Sequence, residues 1–285
     1  MTQKIDPATI KQQQQEQWSR SAAGWRKHDE RLRQTTAPVT QRLLELAAIG
    51  PGMRVLDIAS GTGEPALPVA AVVGPQGFVL LTDFSQEMLD VARDKAQAQG
   101  VTNVDFRRVD GEEVDAEPQS FDAVLCRWGL MFMPEPVRCL QAAHRALKPG
   151  GRMAVAVWGP PQLNPFFTIP VGVLRNYVDI PPPDPDAPGV FAFADRNKLA
   201  SVLTQAGFRD VQVEDLELTM ADFGSGREYA EYLTEVAGPV GTMLRQVPED
   251  KRKKALDGIA AAAAGGDPAG SVSLSGYALL ASGAR

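Results

Sequence analysis

The chain has 285 residues, of which 44% are hydrophobic and 22% charged, and its formal net charge is −6. This length suits one large globular domain or two small ones. The acidic balance disfavours nucleic acid as a partner, because phosphate contacts require clustered lysines and arginines. The one dense basic run, Lys251–Lys254, follows Glu249 and Asp250, so we interpret it as the solvated face of a helix.

Cysteine content and hydropathy argue against three further classes of protein. Cys126 and Cys139 cannot build a disulfide framework, and no histidine or further cysteine is spaced to complete a metal site with them. No apolar run approaches the ~20 residues needed to cross a bilayer, and the polar N-terminal region lacks the apolar segment of a signal peptide. We therefore predict a cytoplasmic protein without a bound metal or a membrane span.

The first predicted element is a polar helix over Gln12–Leu32. It carries Trp18 and Trp25, whose spacing of seven residues places both on one helical face. Residues 1–38 are therefore expected to form a helical arm. The arm either docks on the core through its two aromatic side chains or covers a bound cofactor as a lid, and the two roles are compatible.

Between Met53 and Trp158, short apolar runs alternate with amphipathic stretches, which is typical of parallel strands joined by helices. The predicted strands are Arg54–Ile58, Phe78–Asp83, Val104–Asp110, Ala123–Arg127 and Arg152–Val157. The predicted helices are Ala66–Val73, Gln86–Gln99 and Val137–Leu147, the last ended by Lys148-Pro149-Gly150-Gly151. We expect residues 39–160 to form a doubly wound, Rossmann-like α/β core that binds a cofactor.

Residues 161–285 are expected to complete the same domain, so that the whole chain, 1–285, folds as one unit. Gly159–Pro188 is rich in proline, including Pro181-Pro182-Pro183-Asp184-Pro185, and predicts a loop beside the substrate pocket with a short element near Ile169–Tyr177. The remaining predicted elements are the helices Asp195–Ala206, Arg227–Ala237 and Lys251–Ala264, and the strands Val211–Met220 and Ser271–Ala281. With these two strands the predicted sheet has seven strands, most of them parallel. Helices are expected on both faces of the sheet, and a helical cap is expected over the substrate.

The decisive segment is the strand and turn Val55-Leu56-Asp57-Ile58-Ala59-Ser60-Gly61-Thr62-Gly63. In a doubly wound sheet this first turn lies at the switch point, where ligands bind, and glycines allow a ligand to approach the backbone. The dinucleotide pattern G-x-G-x-x-G is not met, and the carboxylates of Asp57 and Glu64 disfavour a pyrophosphate. The same carboxylates attract the ammonium and sulfonium groups of S-adenosylmethionine, which carries no phosphate.

Carboxylates also follow the next two strands. Asp83 ends the second strand 20 residues after Gly63, a spacing that allows a carboxylate to accept hydrogen bonds from ribose hydroxyls. The third strand ends in Asp110-Gly111-Glu112, where Asp110 is placed to accept a hydrogen bond from an adenine amino group. Three acidic strand ends in succession indicate a nucleoside site rather than three unrelated helix caps.

These segments resemble the motifs of class I S-adenosylmethionine-dependent methyltransferases, and the layout is similar to the bacterial branch that includes the ubiquinone and menaquinone C-methyltransferases. The matching segments are Val55–Gly63, Leu80–Asp83, Val109–Glu112, Phe121–Arg127 and Leu147–Gly151. The resemblance covers roughly residues 40–220 and implies that the chain is a single methyltransferase domain with S-adenosylmethionine as its cofactor.

The resemblance also implies roles for the matched residues. Asp57 lies near the methionine amino group, Asp83 binds the ribose, and Asp110 with Gly111 binds the adenine. The residues assigned to cofactor binding are Asp57, Ala59, Gly61, Gly63, Asp83, Asp110, Gly111 and Arg127. Ala59 departs from the family pattern, because many relatives have a glycine there, but its methyl group is only a small intrusion.

The end of the fourth strand, Cys126–Phe132, is expected to border the methyl acceptor. It lacks the Asn/Asp-Pro-Pro-aromatic pattern by which many amino-group methyltransferases hold a nucleobase or an amide. Arg127 either holds an acidic substrate or pairs with a neighbouring carboxylate. The aromatic side chains predicted to line an apolar acceptor pocket are Trp25, Trp128, Phe132 and Trp158.

The chain has two histidines as candidates for a general base. We interpret His144, inside a predicted helix, as structural, whereas His28 is next to Asp29, which could orient its imidazole as a base. The predicted reaction is in-line methyl transfer to a carbon, oxygen or nitrogen of a small apolar or aromatic metabolite. The alternatives are a nicotinamide-dependent oxidoreductase and a non-catalytic protein that binds S-adenosylmethionine.

Overall fold

The computed structural model describes residues 6–181, 184 and 187–285. Its strands are β1 (Arg54–Ile58), β2 (Phe78–Asp83), β3 (Val104–Arg108), β4 (Phe121–Arg127), β5 (Leu147–Trp158), β6 (Arg209–Phe223) and β7 (Val272–Ala284). They form one sheet in the order β3-β2-β1-β4-β5-β7-β6. The strands from β1 to β5 pair in parallel, and β7 is antiparallel to both β5 and β6. The predicted seven-stranded, mostly parallel sheet is confirmed.

The helices lie between and beside these strands. They are α1 (Pro7–Lys27), α2 (Asp29–Leu46), α3 (Ala66–Val73), α4 (Gln86–Ala98), α5 (Pro136–Ala146), α6 (Pro165–Leu174), α7 (Arg196–Gln205), α8 (Gly226–Val236), α9 (Gly238–Gln246) and α10 (Glu249–Ala263). The central strands β1 and β4 are buried almost throughout, because helices cover both faces of a parallel sheet. This explains why their sequences are nearly continuous apolar runs.

The order of the sheet positions the site. β1 pairs with β2 on one side and with β4 on the other. The chain adds β2 and β3 on one side of β1 and then crosses back to add β4 and β5 on the other side. Loops that leave the carboxyl ends of β1 and β4 therefore diverge and open a crevice between them. The segments after β2 and β3 lie on one side of the crevice, and those after β4 and β5 lie on the other.

The arm differs from the prediction of a single helix over Gln12–Leu32. Two helices, α1 and α2, meet at His28, whose backbone angles are φ −103° and ψ 17°. Asp6 caps the first helix by accepting a hydrogen bond from the backbone N–H of Thr9, and Pro7 occupies its first turn. The helical character of the arm is confirmed, but the break falls at a residue without a helix-breaking signal.

Two further differences concern strand and helix ends. The stretch 148–151, predicted as the turn after a helix, belongs to β5, where the register with β4 is irregular and Gly150 has φ +80°. The short element expected at Ile169–Tyr177 is α6, which begins four residues earlier at Pro165. The sequence did not predict α9, whose first turn reads Gly-Pro.

Four residues of the proline-rich segment predicted as a loop, namely Pro182, Pro183, Pro185 and Asp186, lie outside the described residues. Across the described part of the chain, no helix combines the length and apolar character required to cross a membrane. Within those same residues, no group of three or more His, Cys, Asp or Glu side chains is arranged to hold a metal ion.

Candidate cofactor and acceptor site

The turn after β1 has three residues in the left-handed backbone region. Their φ angles are +56° at Ala59, +52° at Gly61 and +95° at Gly63. A side chain at Gly63 would meet Leu67 at 3.1 Å, so this glycine serves close packing of the turn against α3. Ala59 is tolerated because it faces Gly129, where an added Cβ would lie 2.4 Å from the Ala59 methyl group.

Asp83 joins the end of β2 to this turn. Its Oδ2 accepts a hydrogen bond from the backbone N–H of Gly61 at 2.9 Å, and its Oδ1 accepts one from Ser85 at 2.9 Å. Burial raises the pKa of the Asp83 carboxyl to about 6, although these backbone donors oppose the shift. Each oxygen keeps a second lone pair that can accept a hydroxyl.

The acidic residue of β1, Asp57, was predicted to lie near the methionine amino group of the cofactor. Asp57 is fully buried and does not line the cavity, and burial raises its pKa well above the usual range. Glu64 lines the cavity instead, and its Oε1 accepts a hydrogen bond from the Thr40 hydroxyl at 2.9 Å. Glu64 was identified from the sequence as a carboxylate that disfavours phosphate and attracts a cationic cofactor, but it was not assigned to the cofactor-binding residues. Asp57 is fully buried because helices cover both faces of the sheet, so the side chains on either face of β1 are shielded from solvent.

After β3, Asp110 starts a short turn, and its Oδ1 accepts a hydrogen bond from the backbone N–H of Glu112 at 2.9 Å. Lys11 of α1 reaches both carboxylates, with Nζ 2.7 Å from Asp110 Oδ2 and 2.5 Å from Glu112 Oε2. Burial opposes the charge of Lys11, but the hydrogen bonds to the two acids outweigh it and raise the lysine pKa. No local pattern indicated Lys11, because its partners lie about a hundred positions away.

These residues line one continuous cavity over the carboxyl ends of the strands. We call its two parts the polar end and the aromatic end. The polar end includes Ala59, Gly61, Glu64, Asp83, Asp110 and Gly111. The aromatic end includes Trp25, Trp128, Trp158, Phe166, Phe167 and Tyr232. The sheet order explains part of the division, since Asp83 ends β2 and Asp110 follows β3. Trp128 follows β4, and Phe166 and Phe167 follow β5. Glu64 follows β1, and the helices α1 and α8 add Trp25 and Tyr232.

The predicted aromatic residues all reach the cavity wall. Trp128 stacks on Trp158 with ring centroids 4.5 Å apart and planes 10° apart. From the arm, Trp18 contacts Trp25 and Phe132 edge to face, with centroids at 6.0 and 5.3 Å. Trp128 has φ +58°, an unusual backbone conformation for a bulky residue and one that is concentrated at functional sites.

Arg127 lies at the junction of the two ends and is only 8% exposed. Its Nη1 donates hydrogen bonds to the hydroxyls of Thr36 at 2.6 Å and Thr40 at 3.2 Å. Its Cζ is 4.9 Å from the centre of the Trp128 ring. Burial lowers the pKa of the guanidinium, and the charges of Glu64 and Asp57 oppose this effect.

The structure does not bring His28 into the site. His28 does not line the cavity. Its Nε2 lies 2.5 Å from Glu235 Oε2, and its ring meets that of the wall residue Tyr232 edge to face, with ring centroids 4.9 Å apart. Asp29, which was expected to orient the imidazole, pairs with Lys95 instead. The side chains of His28 and Asp29, which are adjacent at the junction of two helices, point in different directions. They therefore do not form the predicted pair, although they are neighbours in the sequence. Asp57, Gly63 and His28 are thus the predicted site residues that do not line the cavity.

Residues 49–161 match the family model described as a methyltransferase domain. The ubiquinone/menaquinone biosynthesis C-methyltransferase UbiE of Ectopseudomonas mendocina (strain ymp) is 40% identical over 125 residues, which are 44% of this chain and 48% of the relative. The chain therefore spans about half the length of the curated relatives of this group that it matches at 38–40% identity.

Two solved structures have a similar fold. The YcgJ protein from Bacillus subtilis has a TM-score of 0.55 and 19% identity, and the match covers 86% of this chain and 97% of that one. Phosphoethanolamine N-methyltransferase 2 of Haemonchus contortus, in complex with phosphomonomethylethanolamine and S-adenosylhomocysteine, has a TM-score of 0.52 and 21% identity, covering 87% of this chain and 52% of that one. At these identities the similarity concerns the fold alone.

The sheet order and the matched segment define a methyltransferase domain of the class I, Rossmann-like type. Within this class, the chain is related to the ubiquinone/menaquinone C-methyltransferases.

Proposed function

We propose that this protein transfers the methyl group of S-adenosylmethionine to a small apolar or aromatic acceptor. The observation that carries the proposal is a single cavity whose polar end has carboxylates in place of a phosphate site and whose aromatic end opens directly from it. A cationic, phosphate-free nucleoside is complementary to the polar end, and an apolar acceptor is complementary to the aromatic end.

The residues at the polar end fit this cofactor. In this proposal Asp83 accepts hydrogen bonds from the ribose hydroxyls, Asp110 with Gly111 binds the adenine, and Glu64 with the backbone of Ala59 and Gly61 binds the methionine part. The support for these roles is that all six residues line the cavity. The buried Ser60 hydroxyl also lines the cavity and has no hydrogen-bond partner among the described residues, which suits a ligand. When bound, the cofactor supplies an electrophilic methyl group.

The protein's own residues position the acceptor and exclude water. Among the described residues that line the cavity, none is a histidine or a cysteine, so we assign no general base. Tyr232 is on the wall, but burial raises the pKa of its hydroxyl, which keeps its proton. The acceptor is thus expected to arrive as an active nucleophile, with alignment and desolvation as the main contributions of the protein.

We extend the proposal to the organisation and location of the chain. In this proposal residues 1–285 act as one domain. The described part of the arm, residues 6–38, covers the cavity, residues 39–160 bind the cofactor, and the described part of residues 161–285 shapes the acceptor pocket; residues 1–5 of the predicted arm lie outside the described residues. Cys126 and Cys139 are both free and buried, which suits the reducing cytoplasm. The acceptor is proposed to be a small molecule rather than nucleic acid, in accordance with the net charge of −6.

Calorimetric titration with S-adenosylhomocysteine, with NADH as the comparison, tests the cofactor class. We expect saturable binding of S-adenosylhomocysteine and none of NADH. Tight binding of NADH alone would instead support a nicotinamide-dependent oxidoreductase. Radiolabel transfer from methyl-labelled S-adenosylmethionine to a panel of phenols, naphthols and aromatic acids then tests catalysis, and cofactor binding without transfer to any of them would favour the non-catalytic alternative.

A further inference from the structure

Arg127 is a cation without a direct counterion among the residues that the structure describes. The cavity wall has two cationic side chains among its described residues, Lys11 and Arg127. Lys11 is neutralised by Asp110 and Glu112, both within 2.7 Å. Within the described part of the chain, no carboxylate oxygen lies within 4.0 Å of a guanidinium nitrogen of Arg127, whose hydrogen bonds go to neutral hydroxyls. A buried cation without a paired anion lowers the stability of the folded protein, unless a ligand supplies the anion.

The hydroxyls hold the guanidinium in a fixed place. The Thr36 hydroxyl donates to the backbone carbonyl of Leu32 at 2.8 Å, and the Thr40 hydroxyl donates to Glu64 at 2.9 Å. Each hydroxyl proton is therefore committed elsewhere, and each oxygen is left to accept from Arg127. Only Nη1 of the five-donor guanidinium is used in this way, so donors remain for a ligand.

The nearby acids do not replace a ligand anion. Asp57 acts on Arg127 through space, but it forms no ion pair within 4.0 Å of the guanidinium. Glu64 is engaged by Thr40 rather than by the guanidinium. A guanidinium has donors only, so the group that complements it must be an acceptor, and its charge favours an anionic oxygen.

The surrounding rings define the rest of the ligand. The Trp128 ring lies 4.9 Å from the guanidinium carbon and is stacked on Trp158, which in turn contacts Phe167 at 5.0 Å. From this combination we infer that the methyl acceptor is an aromatic molecule with an anionic oxygen, either a carboxylate or an acidic phenol or enol, that binds Arg127. The inference rests on the proposed function. The methionine carboxylate of the cofactor is the competing anion, and loss of S-adenosylhomocysteine binding in a folded Arg127→Met protein would overturn the assignment of Arg127 to the acceptor.

A pair of probes with the same shape and different charge tests the inference. Binding of 1-naphthoate and of neutral 1-naphthamide is measured by calorimetry with saturating S-adenosylhomocysteine present. Because hydrogen bonds to charged groups are strong, we expect wild-type protein to bind naphthoate roughly 10- to 100-fold more tightly than naphthamide. In Arg127→Met this preference disappears through weaker naphthoate binding, while naphthamide binding changes little.

Arg93→Met is the matched control, since it removes an exposed arginine that pairs with Asp90 on α4. It should leave the naphthoate preference and the S-adenosylhomocysteine affinity unchanged. Equal affinities of the two probes for wild-type protein, or binding of neither, overturn the inference even if Arg127→Met does not fold. Retention of the preference in a folded Arg127→Met protein also overturns it. Failure of wild-type protein to bind S-adenosylhomocysteine would count instead against the proposed function, so the two failures are distinguishable.

Discussion

The Asp83 carboxylate accepts a hydrogen bond from the backbone N–H of Gly61 at 2.9 Å and so joins the end of β2 to the glycine turn after β1. One side chain thereby shapes the turn and faces the proposed ribose position. Replacing it by alanine would leave the N–H groups of Gly61 and Ser85 without their acceptor, so asparagine, which keeps a carbonyl oxygen, is the better substitution.

We predict that Asp83→Asn weakens S-adenosylhomocysteine binding roughly 10- to 100-fold, because charged hydrogen bonds to two hydroxyls become neutral ones. Calorimetry measures this, and a thermal melt checks that the fold is kept. Asp90→Asn on the exposed side of α4 is the control and should bind like wild type. If Asp83→Asn bound S-adenosylhomocysteine with unchanged affinity, Asp83 would not contribute to cofactor binding.

The burial of Asp83 also predicts a pH dependence. Its folded-state pKa is about 6, above the ordinary value of 3.8. Between pH 3.8 and about pH 6 the Asp83 carboxyl is protonated in the folded protein but ionised in the unfolded chain. The folded state therefore binds more protons, and the contribution of Asp83 to the free energy of unfolding falls as the pH rises through this range. Binding shows the opposite trend, since the ionised carboxylate is the better acceptor for ribose hydroxyls. S-adenosylhomocysteine affinity should therefore increase from about pH 5 to about pH 7.5.

The pH dependence of binding should be flattened in Asp83→Asn, measured by calorimetry at the same pH values. A wild-type affinity that stays constant across this range, or a pH dependence that survives in Asp83→Asn, would assign the titration to another group.

The contact between Ala59 and Gly129 predicts a compensating pair of substitutions. Gly129→Ala introduces a methyl group that clashes with the Ala59 methyl, since a Cβ at position 129 would lie only 2.4 Å from it. We expect a loss of about 1–3 kcal/mol in the free energy of unfolding, as for other overpacked sites. Adding Ala59→Gly should restore most of it, and urea denaturation of both single variants and the double variant measures the coupling. Additive effects would mean that the two residues do not share this space.

Lys11 predicts a link between the arm and the core. Lys11→Met leaves the buried Glu112 carboxylate without its cation, so we expect a loss of about 1–2 kcal/mol in stability and faster proteolysis of the arm. Lys27→Met is a suitable control, because that exposed lysine pairs with Glu235 at the surface and should contribute little. Equal effects of the two variants in thermal melts and limited trypsin digestion would refute a special role for Lys11.

The sequence by itself determined the sheet and the edge that we propose binds a nucleoside. β1, β2, α3 and the glycine turn were predicted to the residue or nearly so, because strand burial, helix periodicity and turn glycines are local properties. Asp83 and Asp110 could be identified for the same reason, since the carboxyl ends of parallel strands meet at one edge.

Only the tertiary structure decided which side chains share the cavity. It placed Glu64 on the wall and Asp57 beneath it, brought Lys11 to Asp110, and turned His28 away towards Glu235. These relationships join residues that are distant in the chain, or they depend on the direction of a side chain at a turn. Contacts between distant residues and side-chain directions at turns leave no periodic pattern in the sequence. They result from how separately formed helices and strands pack against one another.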